Sequence, residues 1–292
     1  MECYLVIQPT VVYGWLGTGV KQWRINSRMD IKEMPVEPGL AREIIRNGNW
    51  PKPTPGLTPG SAQVNLAILP KELAFDFLLF CQRNPKPCPL LEVLEPGQWE
   101  PKLTAPGADL RTDVPSYRIY RNGKLENEID DLMDYWQDDF VSFLLGCSFT
   151  FETAMLSAGI NVRHIEEGKN VPMYRTNIET ASAGIFHGPL VVTMRPIPYN
   201  LVSKAVQVTS RYPAVHGSPV QVGDPESIGI YDLSTPDWGD QVTINDGEVP
   251  VFWACGVTPQ AVALESKPSL MVTHSPGCMF ITDVRDEHLA AL

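Results

Sequence analysis

Apolar and polar positions recur with different periods along this chain, and the periods mark its elements. AQVNLAILP (62–70) is almost wholly apolar, as expected of a strand buried on both faces. In PKELAFDFLLFCQRNP (70–85), Leu73, Ala74, Phe77, Leu78 and Cys81 recur at helical spacing until Pro85 stops the helix. Upstream, PVEPGLAREIIRNGNW places Pro38 in a first helical turn and Gly48 at a helix end, so the ordered protein is expected to start near Pro35. PKPTPGLTPG (51–60) is a loop, because proline and glycine at that density interrupt both periods.

Further along, KPCPLLEVLEPG reads as irregular with one short strand. SYRIYRNGKLENE reads as a hairpin turning at Asn122-Gly123, where both central residues need positive φ. DDLMDYWQDDFVSFLLG is predicted as a helix with acidic residues in its first turns. A second helix is expected over 149–158, with Ser148 as N-cap and Gly159 as the left-handed residue beyond its end. Strand GPLVVTMRPI (188–197), helix NLVSKAVQVTSRY (200–212) and strand SPVQVG (218–223) form a β-α-β unit, which suggests locally parallel pairing. NVPMYRTN and segments near 241–253 are expected to supply its partners. GEVPVFWACG and SLMVTHSPG…MFITD provide the last strands.

The predicted fold class is α/β: two α/β subdomains, mixed sheets with flanking helices. The larger subdomain is expected to take residues 30–160 and 225–292, and the smaller β-α-β subdomain residues 161–224. Residues 1–29 form a poorly ordered or targeting extension, with Glu2 its sole acidic residue beside Lys21, Arg24 and Arg28.

Charge and cysteine content narrow the function. A formal net charge of -11 repels a phosphate backbone, so nucleic acid is not expected as a partner. A small anionic ligand remains compatible, since a pocket can bury a few arginines inside an acidic surface. No apolar run reaches the roughly 18 to 20 residues of a membrane span. The six cysteines contain no C-x-x-C pair, which fits a reduced compartment and argues against structural zinc. The expected location is cytoplasmic, or mitochondrial if residues 1–29 are a presequence. Homo-oligomerisation is compatible with the sequence.

The stretch Gly146-Cys147-Ser148-Phe149-Thr150 has four readings. A G-x-S-x-G nucleophile elbow lacks its second glycine at Thr150 and the strand it needs upstream. Cys147 is a low-pKa thiol at a helix start or a packed small hydrophobe. The preferred functional reading is an anion cradle of helix-start N–H groups with the Ser148 hydroxyl. Arg175 and Arg195 lie on or at the ends of strands, where a guanidinium can clamp a carboxylate; ion pairing inside the protein is the structural alternative. His216 and His274 sit at strand ends beside glycine-rich loops, where α/β proteins build sites. Asp224 is a general-base candidate or an Asx-turn residue. Gln63 and Asn65 share one face of a buried strand and therefore need partners, in a loop or a ligand.

Taken in order, PGSAQVNLAILPKELAFDFLLFCQRNPKPCPLLEV, DLRTDVPSYRIYRNG, GCSFTFE, NVPMYRTN, PLVVTMRPI, HGSPVQVGDP, GIYDL, GEVPVFWACGVTPQ and THSPGCMFITD resemble the hydro-lyase family related to D-glutamate cyclase. The resemblance covers roughly residues 30–290. It implies a two-subdomain α/β protein and a dehydrating carbon-oxygen lyase. For the cyclase members it implies closure of D-glutamate to 5-oxo-D-proline with loss of water. The animal cyclases carry a further C-terminal domain that this chain does not match.

Set against that chemistry, Arg175 or Arg195 would hold a carboxylate, with Ser148 and Asn65 also contacting substrate. His216, Glu152 or Asp224 would take the amine proton, and His274 would act as acid. The Ser148 helix start would stabilise the oxyanion. No cofactor and no metal are required. The alternatives are a non-catalytic carboxylate-binding or regulatory protein of 5-oxoproline metabolism, and a Cys/Ser hydrolase using Cys147 or Ser148.

Overall fold

A computed structural model describes residue 35 and residues 37–291. The expectations for residues 1–29 lie outside them. Two antiparallel sheets, packed with helices, make up the protein.

The larger sheet is centred on β1 (Ser61–Pro70), all ten of whose residues are buried. One edge of β1 pairs with β5 (Phe140–Gly146) along nearly its whole length. Its other edge is shared. β11 (Phe280–Arg285) takes the first half and β10 (Met271–His274) the second. β2 (Leu90–Val93) flanks β5, while β3 (Tyr117–Arg121) and β4 (Lys124–Ile129) extend the sheet beyond β10. β3 and β4 form the expected hairpin, with φ of 48° at Asn122 and 77° at Gly123.

Alternation along β1 divides the core. Val64, Leu66 and Ile68 pack with Tyr117, Ile119, Phe140 and Leu144 on one face. Ala67 and Leu69 pack on the other against α2 (Lys71–Arg83) and α6 (Thr258–Ser266). α1 (Pro38–Arg46) closes the β11 side with Ile44 and Ile45, joined by Trp50 from the loop that follows.

The smaller sheet has the order β6 (Met173–Glu179), β7 (Pro189–Pro198), β9 (Glu248–Ala254), β8 (Gln221–Val222). β7 and β8 run in the same direction, as a β-α-β unit requires. They are not neighbours, however: β9 inserts between them and pairs antiparallel with both. This corrects the expected parallel pairing. The sheet thus draws a strand from beyond residue 224. α3 (Phe149–Ser157) and α5 (Val202–Ser210) cover one face through Phe151, Met155, Ala205 and Trp253.

The largest departure from the sequence reading concerns residues 131–146. The acidic part forms turns, and FVSFLLG is strand β5, fully buried. A buried strand and a buried helix segment of that length have the same apolar content. Burial from two faces in the middle of the sheet decides for the strand. As a result, strand β5 runs straight through Gly146-Cys147-Ser148 into α3.

Candidate functional site

The β5–α3 junction is tight because Gly146 faces backbone. A Cβ there would stand 2.0 Å from the Ala214 carbonyl oxygen. That packing brings the turn ending at His216 against the junction. Ser148 occupies the N-cap position with helical φ and ψ, so it is not the strained residue of a nucleophile elbow, and its hydroxyl caps no N–H.

Instead Ser148 Oγ accepts from Arg195 Nη2 at 3.1 Å. Arg195 projects from β7 and is completely buried. Its Nε donates to Glu152 Oε1 at 2.8 Å, Nη2 reaches the same oxygen, and Nη1 donates to Thr193 Oγ1 at 2.9 Å. The rings of Phe151 and Trp253 sandwich its charge, with centroids 5.3 and 5.5 Å away. Ser148 and Glu152 lie one α3 turn apart, so the same helix face presents both. Glu152 Oε1 takes every one of these contacts, which leaves Oε2 the freer oxygen. Its third neighbour is His164 Nε2 at 3.4 Å, from the short helix Arg163–Glu166.

Burial disfavours the Glu152 carboxylate, but His164 and Arg195 outweigh it and hold its pKa below the usual range. His164 Nδ1, the Thr150 hydroxyl and His216 Nε2 are buried with no protein hydrogen-bond partner, and His164 Nε2 has only its 3.4 Å approach to Glu152. Of these groups His164 stands against Glu152, and His216 lies near enough for the Arg195 charge to act on it. A buried nitrogen without a partner beside an ion pair is a position where a small polar ligand would be satisfied, whereas Thr150 lies on the opposite face of α3 from Ser148 and Glu152.

His216 has a left-handed backbone, φ 82°, and its Nδ1 lies 2.8 Å from the Lys86 carbonyl oxygen. A carbonyl only accepts, so Nδ1 carries the proton and Nε2 the lone pair. Burial pushes the imidazole pKa down to about 4, partly offset by the Lys86 and Gly146 carbonyls and further lowered by the Arg195 and Lys86 charges. The ring is therefore neutral near pH 7.

Other expected site residues lie elsewhere. Arg175 is on edge strand β6, with its side chain 3.6 Å from Asp237 and its guanidinium over Trp238. It does not join the cluster. Asp224 is exposed in a turn with φ 40°, where its backbone carbonyl accepts from Ser227. Its side chain caps no N–H of the short helix that follows, so it serves there through its backbone. His274 is buried at the end of β10 against Leu66, with burial pushing its pKa down to about 4. It stands in the larger sheet, and no contact ties it to Arg195, Glu152 or Ser148. Asn65 donates to the Gly146 carbonyl at 2.7 Å and lies beneath Gly256, whose Cβ would stand 1.9 Å from its amide nitrogen. It braces the junction from below. Gln63 braces the proline-rich loop through Thr54 and Leu57.

Sequence reasoning missed His164 and Thr193. A histidine within NVRHIEEG, among charged neighbours, gives no sign that it turns inward. Cys147 is the packed hydrophobe of the alternatives, since burial drives its thiol pKa far up. Among the described residues no group of three or more histidine, cysteine or acidic side chains could hold a metal ion, and no helix is long and apolar enough to cross a membrane.

Known proteins share this chain's sequence across nearly all the described residues. The D-glutamate cyclase family model matches residues 141–283, from β5 to β11 and including the whole cluster. A Thermoanaerobacter sp. (strain X514) protein named "Putative hydro-lyase" is 67% identical over 255 residues, 87% of this chain and 96% of its own. The chain belongs to the hydro-lyase family related to D-glutamate cyclase. Relatives from Geobacillus kaustophilus and Bacillus subtilis, carrying the same hydro-lyase name, are 64% and 61% identical. Each covers 88% of this chain, and the matches span 98% and 100% of those proteins. Membership of this hydro-lyase family places the chain among the carbon-oxygen lyases.

Proposed function

We propose that this hydro-lyase closes D-glutamate to 5-oxo-D-proline with loss of water, using the cluster at the β5–α3 junction. The observation that carries the assignment to this cluster is the buried Arg195–Glu152 pair with His164 beside it and His216, whose Nε2 has no partner, within range of the Arg195 charge.

Ring closure forms a bond between the amine nitrogen and the γ-carboxyl carbon, and one γ-oxygen leaves as water. Two protons leave nitrogen, and both end on the departing oxygen. Glu152, kept ionised, attracts the substrate ammonium through Oε2. His216 Nε2, a lone pair in a neutral ring, takes each proton from nitrogen and returns it to the leaving oxygen. The Ser148 hydroxyl accepts from Arg195, so its own O–H is free to donate to the tetrahedral oxyanion together with the N–H groups opening α3. Arg195 places Ser148 and Glu152 and supplies positive charge to a carboxylate through its remaining Nη1 hydrogen.

The test is to incubate purified protein with D-glutamate and, separately, with 5-oxo-D-proline, and to follow both by chiral chromatography. Interconversion in either direction is the expected result. If neither compound changes, this substrate assignment fails while membership of the family stands.

A further inference from the structure

A cavity of about 450 Å³ lies between α3, α5 and the short 3₁₀ helix Asp286–Leu289. Its walls carry Thr153, Ser157, Arg211, Tyr212, Asp286 and Glu287. Thr153 and Ser157 lie one turn apart on a face of α3 that differs from the Ser148–Glu152 face, so this space is separate from the cluster above. Its volume is in the range that small-molecule sites occupy.

The decisive group is Asp286. Its residue is only 5% exposed, yet Oδ1 has no protein hydrogen-bond partner. The backbone fixes it there, because Asp286 N–H donates to the Gly60 carbonyl at 3.1 Å. The Thr153 hydroxyl holds the carboxyl group from α3, but the unpartnered oxygen is costly to bury unless a cation or donor satisfies it. Across the cavity walls stand the exposed Arg211 guanidinium and the Tyr212 ring, while Glu287 adds a second negative charge. Arg285, whose Nε lies 3.8 Å from Glu287, opposes that charge from outside. The cavity lining thus carries both carboxylates and a guanidinium. No metal-binding group of three ligands is present here among the described residues.

We propose that this cavity is a second ligand site, for a small amino acid whose ammonium pairs with Asp286 and whose carboxylate pairs with Arg211. The proposal stands independently of the cyclisation assignment. Burial, with Glu287 adding to it, pushes the Asp286 carboxyl up to about 6, while Thr153 and Arg285 oppose the shift. An ammonium bound there would draw the carboxyl back to its ionised form, so binding strengthens as pH rises past that value.

The test uses the otherwise unaltered full chain, in which binding at this cavity is told from binding at the cluster by its response to Asp286→Asn and Arg211→Ala. Isothermal titration near neutral pH is run with a series from glycine to 6-aminohexanoate, with butyrate and butylamine as single-charge comparisons. At least one amino acid of the series is expected to bind one per chain, more tightly than either comparison. Asp286→Asn is expected to weaken that binding roughly tenfold or more, a loss of about 1.4 kcal/mol. Arg211→Ala, at an exposed position, is expected to weaken the amino acid but not butylamine. No heat from any member of the series overturns the proposal, as does affinity unchanged by Arg211→Ala. The second variant decides the matter even if Asp286→Asn fails to fold.

Discussion

At the scale of single residues, the structure sorts the candidates by what they touch. Arg195 and Glu152 are chemically ordinary choices for holding a carboxylate or moving a proton, but here they first hold each other. Breaking one side of a buried pair leaves the other charge unsatisfied, so either truncation damages folding as well as chemistry. His216 differs, because one nitrogen is fixed by a carbonyl and the other is left with its lone pair. A base with a pKa near 4 stays ready through the neutral range. The acid limb of the pH–rate profile for cyclisation is therefore expected to lie near that value; an inflection near the ordinary histidine value of about 6.5 would speak against His216 as the proton carrier. Residue type made Arg195, Ser148, Glu152 and His216 legible in the sequence. It equally suggested Arg175 and Asp224, since nothing local distinguishes an edge strand such as β6 from a central one such as β7.

At the scale of elements, the β5–α3 junction organises the site. Gly146 allows Ala214 to approach, Asn65 ties down the Gly146 carbonyl, and α3 then presents Ser148 and Glu152 toward β7. Gly146→Ala would place a methyl group 2.0 Å from the Ala214 oxygen, so the junction or the His216 turn must shift. We expect a stability loss of about 1–3 kcal/mol or more by urea denaturation, with the cluster's activity lost alongside. An unchanged midpoint with full activity would show that the close packing is not needed. The sequence marked the helix of this junction correctly through Gly159 but not its strand. Seven apolar residues following an acidic stretch imitate a helix with a charged first turn, and only the neighbours β1 and β2 reveal the strand. The β-α-β order of 188–223 was equally legible, and its partner strands do come from NVPMYRTN and the segment near 241–253, as β6 and β9; what local pattern does not carry is that β9 inserts between the two ends of the unit.

At the scale of the whole molecule, two buried histidines, one at the cluster and one at the end of β10, make the fold acid-sensitive. His216 and His274 both have pKa values lowered to about 4 against an unfolded value of 6.5. The unfolded chain therefore takes up protons first as pH falls. Their contribution to stability is complete above 6.5, erodes below it, and is gone once pH passes the folded value. The limit is roughly 3 kcal/mol for each ring. The melting temperature is expected to drop steeply over that interval, and a flat profile would mean that the two rings are not held neutral. The family relationship covers the same assembly, from β5 through the cluster to β11.

The most direct measurement of the central claim is the rate of 5-oxo-D-proline formation from D-glutamate by the unaltered chain, Glu152→Gln and Arg175→Ala. If the β5–α3 cluster is the reaction centre, Glu152→Gln loses about 100-fold or more while remaining folded by circular dichroism, and Arg175→Ala retains its rate. Equal rates in the unaltered chain and Glu152→Gln would contradict the account.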